Sequence, residues 1–256
     1  MCFDHDSMPP IAPIAGASVD GNQIELVSED GTPFMAFEAR AAKPSGAAMV
    51  ILPDVRGLHH YYEELALRFA EAGIDAVAID YFGRTAPESD RGPNFDYQPH
   101  VGQLSYDNVL EDVSAGAHRL RERAKPRALF SVGFCMGGRY SFLLGTRPDL
   151  RMAGVIGFYG WPTGNHRSGS PAPADLAGET HSAVLGLFGG ADQGITPDLV
   201  HTYDEALSEA GVDHEIVSYP NAPHSFFDRK FDEFASESAD AWGRVLDFVK
   251  RLTPPA

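Results

Sequence analysis

The sequence predicts a doubly wound α/β fold: a mostly parallel sheet with an antiparallel N-terminal hairpin and helices on both faces. Three observations predict it. Short apolar runs alternate with amphipathic stretches along the chain, the pattern of strand–helix–strand units. "AAMVILP" (Ala47 to Pro53) is continuously apolar, as a strand covered on both faces must be. "NQIELVSEDGTPFMAFEA" (Asn22 to Ala39) instead alternates around Asp30-Gly31, a hairpin signal.

The elements follow in order. After the strand at Ala47, "YYEELALRFAEAGI" repeats apolar residues at helical spacing and stops at Gly73. "IDAVAIDYF" (Ile74 to Phe82) reads as a second buried strand, and "YDNVLEDVSAGAHRLRERA" as an amphipathic helix. "RALFSVGF" is a strand, "GGRYSFLLGTR" a helix and "MAGVIGFYG" another strand. "HSAVLGLFGGAD" holds a strand, "PDLVHTYDEALSEAG" a helix and "DHEIVSYP" a strand. A long amphipathic helix from Asp232 to Leu252 comes last. The Gly/Pro/Ser-rich stretch Pro162 to Thr180 lies between core strands and reads as a surface loop over a site. Residues 1–20 are expected to form a tail and residues 21–256 one domain, since no linker divides two cores.

Bulk properties narrow the function. Apolar content of 43% and charged content of 22% belong to an ordinary soluble globule. A net charge of −16 argues against nucleic acid or an anionic membrane as partner, and an anionic substrate would need a local positive patch. The two cysteines, Cys2 in a Pro-rich start and Cys135 in the centre, form no disulfide framework, which fits the cytoplasm. The acidic N-terminus lacks the basic start and apolar core of a signal peptide, and no apolar run reaches membrane-spanning length.

Cys135 sits in Gly133-Phe134-Cys135-Met136-Gly137, the spacing of a nucleophile elbow with cysteine in the serine position. Such a turn needs small residues two before and two after the nucleophile, so that strand and helix pass without collision. It also aims a helix N-terminus at the site, where dipole and N–H groups favour an anion. The motif follows an expected strand and precedes an expected helix, as its mechanics demand. The remaining members should follow in the order acid, histidine. Asp192 in "LGLFGGADQGI" and His224 in "VSYPNAPHSFFD" each fall just past a strand, at the carboxyl edge where such sheets place their sites. His224 would take the thiol proton, and Asp192 would hold the imidazole tautomer.

With these residues the chain resembles the dienelactone hydrolase family of the α/β-hydrolase fold. The resemblance runs from the first strand to the last helix and rests on "GFCMGG", "GGADQGI", "NAPHSFF", "LPDVRGLHHY" and "AIDYFGR". It implies hydrolysis of a lactone or carboxylic ester, of which dienelactone is the family substrate, with no cofactor and no metal. The resemblance puts Asp54 where the family has a glutamate that contacts the resting thiol; here the carboxylate is one methylene shorter. The backbone N–H groups of Val55 and Met136 are the positions expected to form an oxyanion hole. Arg84 matches a family arginine that binds the substrate carboxylate. A second family arginine falls four residues after the catalytic histidine, where this chain has Asp228 with Arg229 beside it. Either Arg229 takes that role or the carboxylate pocket is weaker, which leaves room for a bulkier or neutral ester. The other readings are acyl transfer through the same residues, and a non-hydrolytic ligand-binding or redox-sensing protein with Cys135 as the responsive thiol.

Other candidates carry less. His59 and His60 are adjacent and so point different ways, with no further histidine at helical spacing to complete a metal site. Tyr61, Tyr62 and Trp161 are placed either to line the site or to serve the core. The sequence leaves the oligomeric state open.

Overall fold

A computed structural model describes residues 7–14, 19–87, 91–166, 168–228 and 232–255. The chain begins with a hairpin of β1 (Val19–Val27) and β2 (Pro33–Ala41), then β3 (Ala47–Leu52), α1 (His60–Glu71) and β4 (Asp75–Ile79). Next come the short α2 (Gln98–Val101), α3 (Tyr106–Arg123), β5 (Ala128–Phe134) and α4 (Met136–Leu144). A 3₁₀ turn (Pro148–Leu150) leads to β6 (Gly154–Phe158), and a second (Ala174–Glu179) to β7 (Ala183–Gly189). α5 (Pro197–Glu209), β8 (His214–Tyr219) and α6 (Ala235–Leu252) complete the order.

The eight strands form one sheet in the order β1-β2-β4-β3-β5-β6-β7-β8. β2 pairs antiparallel with both β1 and β4, and every other neighbouring pair is parallel. The continuously apolar runs became the interior strands β3, β4, β5, β6 and β7, buried at every position, because helices cover both faces. The alternating hairpin strand β1 lies at an edge and stays largely exposed.

Ring contacts sort the helices. Phe69 of α1 meets Trp242 of α6 at 4.9 Å between centroids, so these two helices share one face. On the other face Tyr106 of α3 stacks on Tyr140 of α4 at 6.3 Å, and Phe142 of α4 meets Tyr203 of α5 at 5.1 Å. Glycines on β6 let both layers approach closely. A Cβ at Gly157 would run into the Phe142 ring, and one at Gly154 into Phe248. No helix of the described residues is long and apolar enough to cross a membrane.

Three local differences from the sequence reading stand out. The final helix begins at Ala235, three residues inside the expected start at Asp232. α2 is a single turn whose first N–H groups are met locally, Asp96 Oδ1 accepting from Gln98 N–H at 3.3 Å. It is too short to show periodicity. The Pro162–Thr180 loop carries the second 3₁₀ turn, which follows Pro173.

Candidate active site

Cys135 stands alone between the last residue of β5 and the first of α4, with φ 54° and ψ −112°. A positive φ at a side chain larger than glycine is strained, and here the surroundings impose it. Its N–H donates to Phe158 O at 3.0 Å, and its carbonyl accepts from Arg139 N–H at 3.2 Å. A Cβ at Gly133 would overlap the Gly137 carbonyl, and one at Gly137 the carbonyls of Leu52 and Pro53. Strand, helix and the neighbouring end of β3 therefore meet backbone to backbone. The first N–H groups of α4 have no intrahelical acceptor and gather beside the thiol.

Asp192 follows β7 and His224 follows β8, as the sequence places them. His224 Nδ1 lies 2.6 Å from Asp192 Oδ2. The other carboxylate oxygen accepts from Gly194 N–H at 2.8 Å and Ile195 N–H at 3.1 Å. Burial pushes the Asp192 carboxyl up, but its bond to His224, that ring's charge and the two backbone donors outweigh it. The group ends below its ordinary value and carries its charge.

The His224 ring is flanked by Tyr159 at 4.9 Å and Trp161 at 5.6 Å between centroids. Tyr159, at φ 38°, follows directly on Phe158, whose carbonyl receives the Cys135 N–H. The strand end of β6 thus links the nucleophile turn to the imidazole. The Tyr159 hydroxyl donates to Asp228 Oδ2 at 2.7 Å, and Asp228 is buried. Sequence reasoning passed over Tyr159; only its place directly after an apolar strand beside the elbow marked it. Trp161, left open between core and site, stands at the site.

The remaining candidates divide. Asp54 is fully buried just past β3; its N–H donates to the Tyr62 hydroxyl at 2.9 Å, and its Oδ1 accepts from Arg56 N–H at 2.8 Å. Tyr61 and Tyr62 are wholly buried, so both serve the core beneath this loop rather than a pocket mouth. Val55 follows Asp54, two residues past the Leu52–Pro53 carbonyls that Gly137 crosses, and Met136 opens α4 directly before Gly137. Arg84 is held by carboxylates of the chain itself. Its Nε lies 3.0 Å from Asp30 Oδ2, its Nη2 3.1 Å from Glu111 Oε2, and its Nη1 2.7 Å and 2.9 Å from the two Asp112 oxygens. Arg229 lies outside the described residues. A groove of about 430 Å³ lined by Ile74, Arg127 and Leu246 includes none of these residues.

Residues 34–253 match the profile of the Dienelactone hydrolase family. The chain belongs to this family. It is a hydrolase built on the α/β-hydrolase fold. Relatives include the "Putative carboxymethylenebutenolidase" of Escherichia coli (strain K12), 28% identical over 95% of this chain and 94% of that one. Another is the "Probable 2-oxo-3-(5-oxofuran-2-ylidene)propanoate lactonase" of Bradyrhizobium sp, 27% identical over 79% of this chain and 83% of the relative. Among solved structures, the "Putative Dienelactone Hydrolase" of Klebsiella pneumoniae superposes with a TM-score of 0.79 at 27% identity. It covers 91% of this chain and 99% of its own.

Two outcomes follow from the geometry. Gly133→Ala should destabilise the fold by about 3 kcal/mol, since backbone and not a flexible side chain blocks the new methyl; urea unfolding measures it. The second concerns Asp112. Burial pushes this carboxyl up to about 6, against the pull of Ser28 and Arg84. A raised native value means its contribution to stability is present at low pH and is lost as pH rises through 6. Removing the guanidinium lifts that value further and extends the loss upward. Arg84→Met should therefore cost about 1 kcal/mol more at pH 8 than at pH 5, read from denaturation midpoints at the two pH values.

Proposed function

We propose that this family member is a cysteine-dependent hydrolase that cleaves a lactone or carboxylic ester through a thioester acyl-enzyme. The observation that carries the reading is the pairing of a strained elbow cysteine with an Asp192–His224 couple at 2.6 Å on the same sheet edge. With Nδ1 oriented by Asp192, Nε2 is the nitrogen that exchanges protons with the thiol.

His224 takes the proton from Cys135 Sγ, and the sulfur bonds to the substrate carbonyl carbon. The carbonyl oxygen becomes an oxyanion, met by the N–H groups of Val55 and Met136. As the intermediate collapses, the carbon–oxygen ester bond breaks and the leaving oxygen takes the proton from His224. In a lactone that oxygen stays tethered to the acyl chain. Water then gives a proton to His224 and bonds to the thioester carbon; the carbon–sulfur bond breaks, the sulfur takes that proton back from His224, and the acid leaves. Asp54, buried beside this crossing, is the carboxylate we assign to modulate the resting thiol. No step calls for a cofactor or a metal.

The substrate we favour is a small neutral ester or lactone. Arg84 already faces three carboxylates of the protein, and a substrate carboxylate would have to displace one of them. The position four residues after His224 holds a buried carboxylate, Asp228, instead of an arginine. The low cysteine count supports work in a reducing compartment such as the cytoplasm.

Intact-mass spectrometry during turnover of aryl esters and lactones should show an acyl adduct on Cys135. Cys135→Ala should abolish both adduct and turnover; normal turnover in that variant would rule the mechanism out. Asp192→Asn should lower kcat by about 10²- to 10⁴-fold, because the tautomer is no longer held. Added alcohol or amine acceptors distinguish acyl transfer: an ester or amide product in place of the acid would identify that reaction.

A further inference from the structure

α4 contains one charged residue, Arg139, in a helix otherwise buried and apolar or small on every side. Its side chain is 1% exposed. The guanidinium does not pair with a carboxylate among the described residues. Instead it donates to the strap that follows β6: Nη1 to the carbonyls of Trp161 at 3.2 Å and Thr163 at 3.1 Å, and Nη2 to Gly164 O at 2.7 Å. Nη2 also reaches Ser170 O at 3.1 Å and Pro171 O at 2.7 Å, and Nε reaches Ser170 Oγ at 2.9 Å.

Burying a cation among neutral acceptors is costly, and an apolar side chain would fill the same space without that cost. What the guanidinium supplies is convergence. An irregular segment has carbonyls that its own backbone cannot satisfy, and a planar fork with five N–H donors draws several of them to one point. Between Trp161 and Pro171 the strap's other described backbone–backbone bonds are sparse: Ala174 N–H to Pro162 O at 2.9 Å, Gly169 N–H to His166 O at 3.0 Å, and Tyr106 N–H to Ser168 O at 3.0 Å. Arg139 is therefore the main fastening of the strap.

The consequence reaches the site through Trp161. Its carbonyl is in the clamp, while its ring lies 5.6 Å from the His224 ring and covers Gly194. A Cβ at Gly194 would stand 2.6 Å from Trp161 Cζ2. Trp161 is still 37% exposed, although its ring lies against both His224 and Gly194. Arg139 N–H also donates to the Cys135 carbonyl, so clamp and nucleophile share one helical turn.

We propose that Arg139 is a positioning residue for substrate selection. By fastening the strap it fixes the Trp161 indole as a rigid flat wall beside His224, and the site thereby favours esters and lactones with a planar apolar acyl group. The strap is then a fixed wall, not a lid. The proposal rests on the reading of Cys135 and His224 as the reactive pair.

The test uses the full chain with Trp242→Phe, which leaves Trp161 as the sole indole of the two in the sequence. Arg139→Met, Arg139→Lys and Ser170→Ala are added separately. Acrylamide quenching of Trp161 fluorescence is measured beside hydrolysis of 4-nitrophenyl acetate and 4-nitrophenyl benzoate. Arg139→Met should increase quenching and raise KM for the benzoate about tenfold, with kcat and the acetate KM changed far less. Lysine should restore little, because one ammonium cannot reach the dispersed carbonyls. Ser170→Ala keeps the arginine and should give a smaller shift in the same direction, so it carries the test if the methionine variant does not fold. Unchanged quenching, or equal losses on both esters, would overturn the proposal. Turnover surviving in Cys135→Ala would instead overturn the cysteine mechanism, and the fluorescence readout would still judge Arg139.

Discussion

The site depends on three backbone segments passing one another at the crest of the Cys135 turn with no side chain between them. Gly133 crosses Gly137 within the turn, Gly137 crosses the end of β3, and Gly138 crosses the end of β6. A Cβ at Gly138 would lie 2.7 Å from Phe158 O. Close approach brings the ends of three adjacent strands to one level, which is why Val55, Cys135 and Tyr159 converge from distant parts of the chain. Beneath them the rings of Phe134 and Phe158 stack at 4.8 Å, and Phe227 meets Phe158 at 4.6 Å. Each of these residues adjoins or lies near a site residue in sequence. Burying a phenylalanine contributes about 2 to 3 kcal/mol, comparable to the ~1 to 3 kcal/mol a strained backbone residue costs. The aromatic floor can therefore hold the strained turn.

An acidic chain must decide where its few cations go, and its arginines show three solutions. Arg84 is surrounded by carboxylates from the hairpin turn and α3, tying the edge of the sheet to a helix. Arg91 pairs with buried Asp80 at 2.6 Å, while that carboxylate also accepts from Leu58 N–H and Phe82 N–H. The pair thus fixes the loops that follow β3 and β4 together. Arg139 takes neutral carbonyls and one hydroxyl, and organises a loop instead of neutralising a charge. The first two solutions consume positive charge near the sheet's carboxyl edge, and the third hides it. That is the physical basis for assigning a neutral substrate to a molecule with a net charge of −16.

The positions of strands and helices, and the hairpin at one edge, were legible because interior strands read as unbroken apolar runs and helices as amphipathic ones. "AAMVILP" and "IDAVAIDYF" are such strands, and "YYEELALRFAEAGI" such a helix. The elbow turn at Cys135 and the Asp192–His224 contact were legible because the elbow has rigid glycine requirements and its expected partners follow strand ends. Arg84 was visible as a motif residue, but its partners Asp30, Glu111 and Asp112 come from separate elements, and nothing local in the sequence announces their meeting. Tyr159 and Arg139 were illegible for a related reason. One acts through its backbone conformation and the other through carbonyls, and a carbonyl has no residue identity. The lone arginine in "GGRYSFLL" was the available signal, since an unpaired charge in an apolar helix demands an explanation.

Positive φ at residues other than glycine occurs among the described residues at Lys125, Cys135, Arg151, Tyr159 and Ser225. Lys125 and Arg151 precede β5 and β6, at the edge of the sheet away from the site, where turns can relax into solvent. Cys135, Tyr159 and Ser225 are different: they adjoin or form the reactive edge, and Tyr159 and Ser225 are buried. Strain in a packed setting cannot relax without moving the core, so these three positions are set before any substrate arrives. In the proposed mechanism a site so prepared fixes the chemistry and leaves discrimination to its rim. The strap after β6 is the part of that rim held by side-chain donors instead of a strand ladder. On the proposed reading, substitutions there would reshape the wall beside His224 while the crossing at Cys135 stays intact, which would separate the evolution of specificity from that of the reaction.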